Sequence, residues 1–112
     1  MSHSHYPADY WTRPHPEPVV LDIGDDIGAL LLYTSPAWHG REIEVSLVGQ
    51  DTQRVHTAVL ERIIGDQTRY VAVYAELPAG RYRIWGDDPR LSNQVTIVGG
   101  QVAEVDWTQP AS

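Results

Sequence analysis

The chain has no cysteine, no lysine and no phenylalanine, and only one methionine. Without cysteine there is no disulfide, no thiolate metal site and no thiol nucleophile. Without lysine there is no Schiff-base catalysis and no P-loop lysine. Basic residues are few: eight, all arginine, against fifteen acids, for a formal charge of −7. That balance argues against a nucleic-acid partner, because non-specific affinity comes from neutralising phosphates. It argues equally against anionic membrane surfaces. Long apolar runs are missing too. The first twenty residues carry His3, His5, Pro7, Pro14, Pro16 and Pro18, with no signal h-region or membrane span. A cytoplasmic protein is the expectation.

What is present is one domain's worth of chain, 112 residues, long enough to take about two thirds of its surface out of water on folding. Residues 1–18 are polar and proline-punctuated, with Tyr6, Tyr10 and Trp11 among the histidines, and have no periodicity of either kind. They read as an extended arm whose Tyr10 and Trp11 pack on the domain or on a partner. Residues 109–112 read as a short tail.

From Val19 to Thr108 strand signals recur at the spacing of a β-sandwich. Strands are expected at Val19–Ile23, Ile27–Thr34, Glu42–Val48, Val55–Ile64, Tyr70–Leu77 and Arg81–Trp85. The last two, Gln94–Val98 and Gln101–Trp107, flank Gly99-Gly100 and should form a hairpin. Alternation puts Ile43, Val45, Val71, Val73, Tyr82, Val105 and Trp107 inward, and Trp85 outward beside Arg81 and Arg83. No segment carries an apolar stripe of helical period. The expected fold is therefore an all-β, antiparallel, seven- to eight-stranded sandwich, prealbumin-like or immunoglobulin-like, with an N-terminal arm. One strand breaks the half-buried rule: Ile27–Tyr33 is apolar on both faces. Either the arm or a loop covers its outer face, or that face is an interface.

The segment Tyr74-Ala75-Glu76-Leu77-Pro78-Ala79-Gly80-Arg81-Tyr82-Arg83-Ile84, with Val95 to Val102 after it, resembles the C-terminal half of carboxypeptidase-regulatory-like domains. With the Cna B-type domains these are prealbumin-like sandwiches. The resemblance spans residues 74–102 and rests on a Leu-x-x-Gly-x-Tyr turn and a glycine-tipped hairpin. It implies a fold and a non-catalytic module. Three chemistries of related sandwiches are not implied. The Cna B-type isopeptide cross-link needs lysine. The hydroxyisourate hydrolases end in Tyr-Arg-Gly-Ser, where this chain ends Gln109-Pro110-Ala111-Ser112. The iron ligands of intradiol dioxygenases find no matching spacing.

Four groups of residues invite chemistry. His3, His5 and His15, with Asp9, lie on the arm, and Met1-Ser2-His3 would offer amine, amide and imidazole nitrogens to copper or nickel. Zinc is the other candidate, and incidental histidines on a solvated arm are the ordinary alternative. Trp38, His39 and Arg41 share a loop and would hold a planar or anionic ligand, unless Trp38 simply covers the core. His56 is expected on a strand surface. Asp22, Asp25 and Asp26, with Asp87 and Asp88, would suit calcium, but also match ordinary turn chemistry. No Gly-x-Ser-x-Gly elbow or other catalytic motif is present, so no enzyme and no cofactor are expected. Trp85 beside Arg83 would stack on a sugar or lie covered. The leading expectation is a non-catalytic module that binds another protein or itself. A metal-binding protein and a carbohydrate-binding module are the alternatives.

Overall fold

The computed structural model describes residues 21–86, 88 and 90–108. The readings placed on His3, His5, Asp9, Tyr10, Trp11 and His15, and on the 109–112 tail, lie outside them. The run Ile27-Gly28-Ala29-Leu30-Leu31-Leu32 carries no polar side chain, and β1 (Ile27–Thr34) forms on it, buried from Gly28 onward on both faces. The other strands are β2 (Glu42–Leu47), β3 (Val55–Ile64), β4 (Gln67–Pro78), β5 (Gly80–Trp85), β6 (Gln94–Ile97) and β7 (Val102–Asp106). A short 3₁₀ turn at Pro36–Trp38 joins β1 to β2.

The strands form one seven-stranded sheet in the order β6-β5-β2-β3-β4-β1-β7, nearly closed into a barrel. β3 makes it continuous. Its first residues, Val55 to Ala58, pair with β2, and Val59 to Ile64 pair with β4. The expected two-sheet antiparallel sandwich is therefore corrected on two counts. The halves are joined through β3, and β7 runs parallel to β1, Ala29 opposite Val102 through Tyr33 opposite Asp106. Seven strands stand among the described residues. The first expected strand is not one of them: Val19 and Val20 lie outside the described residues, and Leu21 to Ile23 are not in a strand.

The expected hairpin does not form either. β6 pairs with β5, and β7 pairs with β1, so the runs flanking Gly99-Gly100 occupy opposite ends of the strand order. The glycines serve close approach instead. A Cβ on Gly99 would sit 1.9 Å from the Asp25 carbonyl oxygen, and one on Gly28 would sit 2.5 Å from that of Val98. The Gly100 N–H donates to Ile27 O at 2.9 Å and the Ala29 N–H to Gln101 O at 3.1 Å. These contacts carry the chain across the start of β1 and launch it alongside in the same direction.

The main core takes Leu30, Leu32, Ile43, Val45, Tyr74, Leu77, Tyr82 and Trp107. β4 reverses the expected inward set: Ala72 and Tyr74 face this core, while Val71 and Val73 pack with Leu31 and Tyr33 on the other side of the sheet. The reversal is tolerated because β1, its neighbour, is apolar on both faces. A register shift between Gly28 and Leu30 against β4 then restores Leu77 to the core. Ser46, expected outward with Glu42 and Glu44, is buried.

Leu77-Pro78-Ala79-Gly80 does not close a hairpin. It is a corner carrying the chain from β4 to β5, which pairs with β2 and β6 and not with β4. Leu77 and Tyr82 are both core residues, and the Tyr82 hydroxyl donates to Pro78 O at 2.7 Å, four residues upstream. The hydroxyl thus ties the start of β5 back to the end of β4 across the corner. Tyr82→Phe keeps the ring and strands the carbonyl, so it is expected to cost about 1–2 kcal/mol. Urea unfolding checks this; an unchanged midpoint would show the hydroxyl to be idle.

Candidate functional site

Register assembles the most developed surface of the domain. Glu44 of β2 lies opposite Trp85 of β5 on one side and His56 of β3 on the other, and Ser46 lies opposite Arg83. Trp85 is half-buried, as its Nε1–H donates to Ser46 Oγ at 3.0 Å, which explains how a serine of outward parity becomes buried. Two guanidiniums lie on this indole: Arg54 at 3.6 Å from the ring centroid and Arg83 at 3.8 Å. Arg54 is held by Glu44 Oε1 at 3.0 Å and by the Asp51 carbonyl at 3.0 Å. His56 Nδ1 lies 3.2 Å from Glu42 Oε2 on the same face. The sequence reading named Trp85 and Arg83 but missed Arg54, which precedes β3 and reaches the indole only through pairing of β3 with β2.

Beside Arg54 the surface opens into a groove of about 300 Å³, lined by Leu47, Gln50, Gln53, Arg54, Val55, Pro78 and Tyr82. Val55, at the start of β3, is 48% exposed, and Val48, just past the end of β2, is 52% exposed, both high for valine. Its lining combines four apolar or aromatic residues with two amides and with Arg54, whose guanidinium lies on Trp85.

Trp38, His39 and Arg41 lie at the other end, where β2 begins. They do not converge on a ligand space. The Arg41 guanidinium stacks on Trp38 at 4.1 Å, and the Trp38 ring tilts against Trp107 at 5.3 Å, covering the core. His39 turns edge-on to Tyr70 at 5.4 Å, and its Nε2 is buried without a hydrogen-bond partner among the described residues. Loop residues 40 and 41 are pinned to Val59 by two backbone hydrogen bonds. Trp107 is core, as its parity predicts.

The remaining polar groups are structural in their geometry. Asp22, Asp25 and Asp26 are exposed at the turn into β1. Among the described residues no three of His, Asp and Glu come together as metal ligands. Arg90 hydrogen bonds hold the Asp88 carboxyl below its usual range, and Thr108 does the same for Asp106. Burial raises the hydroxyls of Tyr74, Tyr82 and Tyr33, with Glu104 adding to the effect at Tyr33. Tyr74 spends its proton on Ile43 O inside the barrel. No helix among the described residues is long and apolar enough to cross a membrane. Compared with known proteins, the chain matches no family model, no curated protein and no solved structure.

Proposed function

We propose that this chain is a non-catalytic protein-binding or assembly module whose contact surface is the groove at Leu47, Val55 and Tyr82 together with the Arg54–Trp85–Arg83 platform. The observation that carries the reading is the continuity of the two: an exposed apolar trough runs onto a tryptophan clad in arginine. Tryptophan and arginine beside an apolar pocket are the composition of binding hot spots. In a chain of charge −7, Arg81 and Arg83 share one face of β5 beside the Glu44-paired Arg54 and favour a partner segment combining an apolar side chain with a carboxylate.

The fold belongs to the same proposal. The orders β3-β4-β1 and β2-β5-β6, with a tyrosine corner between β4 and β5, parallel the D-E-B and C-F-G strands of immunoglobulin-like domains. The Leu77–Tyr82 corner also supports the likeness to carboxypeptidase-regulatory-like domains. Sugar stacking is the weaker reading of Trp85, because two guanidiniums already lie on the ring.

The test is comparative. Immobilised full chain, Trp85→Ala and Val55→Glu are each exposed to native lysate, with Val102→Glu as a control distant on β7. A protein retained by the full chain and the control is expected to lose about tenfold or more in retention on each of the first two. Sedimentation of the free chain tests self-association in parallel. A monomer that retains nothing, or retention indifferent to Trp85 and Val55, would sink the reading.

A further inference from the structure

The sheet ends at β6, which pairs with β5 and with no other described strand. Hydrogen-bond polarity determines what that edge offers. The Ile84 N–H donates to Asn93 O at 2.8 Å, so Asn93 and every second residue after it turn their backbone groups toward β5. On the other side of β5, Arg81 O accepts from the Val48 N–H at 2.9 Å, which leaves Thr96, the β6 partner of Arg81, unbonded to β5. The N–H and C=O groups of Gln94 and Thr96 therefore point off the sheet edge, with no backbone partner among the described residues. Natural proteins blunt such an edge with a charge, a proline or a bulge. β6 has none of these, whereas β7, at the opposite end of the order, carries Glu104 and Asp106.

The charge beside this edge lies one strand in. Register sets Arg83 opposite Gln94 and Arg81 opposite Thr96, and all four side chains are exposed on the outer face. Both are the close, non-hydrogen-bonded kind of pair. Neither arginine is ion-paired among the described residues, and the patch holds no acid in a chain with fifteen of them. Arg83 is held by its stacking on Trp85 at 3.8 Å. A guanidinium positioned through its face keeps its N–H edge for a carboxylate.

We propose that the β6 edge takes up an extended segment of a partner protein as an added strand, and that this segment carries carboxylates at alternate positions. Partner residues opposite Gln94 and Thr96 exchange N–H···O bonds with them and, lying on the same face, turn their side chains toward Arg83 and Arg81. An added strand lies about 10 Å from β5, a gap that an arginine and a glutamate close by reaching toward each other over Gln94 or Thr96. The backbone ladder supplies affinity, and the two arginines select an acid-apolar-acid pattern. The inference rests on the reading of the chain as a protein-binding module and gives its mode of capture, without requiring the groove at Leu47 and Val55.

The probe is the synthetic peptide Thr-Val-Glu-Val-Glu-Val-Thr, capped at both ends and titrated into the isotopically enriched full-length chain. The amides of Gln94 and Thr96 are expected to shift and saturate, together with the side-chain Nε signals of Arg81 and Arg83. Glutamine in place of both glutamates, or N-methylation of the two glutamate amides, should each weaken binding about tenfold or more. N-methylation of the central valine should not, because its amide points away from β6. Thr96→Pro removes only an outward N–H, and Arg81→Glu reverses one charge. Each should abolish the shifts while the rest of the spectrum stays in place. If Thr96→Pro disturbs the fold, the N-methylated peptides on the unaltered chain decide. No saturable shift at β6, or binding indifferent to the glutamates or to their amides, would overturn the proposal. The chain's own Glu104-Val105-Asp106 has the same pattern. Shifts at Gln94 and Thr96 that grow with protein concentration alone would thus give the edge to a second copy and end the inference. A lysate protein retained through Trp85 and Val55 but indifferent to Thr96→Pro would end it too, and leave the groove reading standing.

Discussion

Gly99→Ala is expected to cost about 3 kcal/mol or more, at the upper end of what one inserted methyl does to a packed interior. The added carbon would lie 1.9 Å from the Asp25 carbonyl oxygen and against the Asp26 backbone, neither of which is a flexible side-chain end that can swing away. Relief would require the whole crossing from Val98 to Gln101 to lift off the start of β1. That would break the Gly100 and Ala29 hydrogen bonds to this segment and loosen the parallel β1–β7 pair. Gly100→Ala is the informative control. Its Cβ would meet open space, so only the left-handed backbone at φ 73° is penalised, by about 1–2 kcal/mol. In a simple hairpin the two substitutions would cost about the same. Denaturant unfolding of both variants therefore reads the topology, and equal midpoints would mean that Gly99 does not dock on Asp25.

Trp107→Ala is the second large loss, about 3–5 kcal/mol, a sizeable share of the roughly 5–15 kcal/mol that holds a domain together. The indole closes one end of the barrel. It packs on Trp38, lies over Gly86, and donates its Nε1–H to Ser92 O at 2.8 Å. Truncation opens a cavity, strands that carbonyl, and removes the surface on which Trp38 and, through it, Arg41 are laid. Trp107→Phe fills most of the space and loses chiefly the hydrogen bond, so a cost nearer 1 kcal/mol is expected. A thermal melt followed by tryptophan emission checks both. The Trp38 signal should shift toward that of a solvated indole in the alanine variant only. A mild alanine variant would mean that the 36–41 loop does not rest on this ring.

Much of the strand inventory was legible because local chemistry states it. β1 and β3 have the bounds that Ile27–Thr34 and Val55–Ile64 imply from apolar runs ending at Ser35-Pro36 and Gly65-Asp66. Period-two burial placed Ile43, Val45, Tyr82, Val105 and Trp107 in the interior. It failed at β4, where both parities are apolar between residues 71 and 74 and the pattern carries no information about which side is in. The candidate site was half legible. Trp85 and Arg83 share a strand parity that can be counted, but Arg54 joins them only across a strand boundary, and Val55 becomes groove-lining only once β3 bends from β2 to β4. For Trp38, His39 and Arg41 the sequence left a ligand-holding loop and a cover for the core both open, because proximity in sequence does not state which partner each ring will choose.

By itself, the amino-acid order determined that this protein is built of strands, where most of them start and stop, and which side of most is dry. Hydrophobic alternation, breakers and turn residues act over a few neighbours, and their preferences survive in any all-β arrangement. Which strands sit together was decided only in three dimensions. Gly99-Gly100 is equally suited to a two-residue hairpin and to a close crossing, and the choice went to the crossing because the Gly24–Gly28 turn offers its carbonyls and its own missing side chain at that point. Pairing energy of this kind exists only between segments far apart in the chain, so no local pattern can announce it.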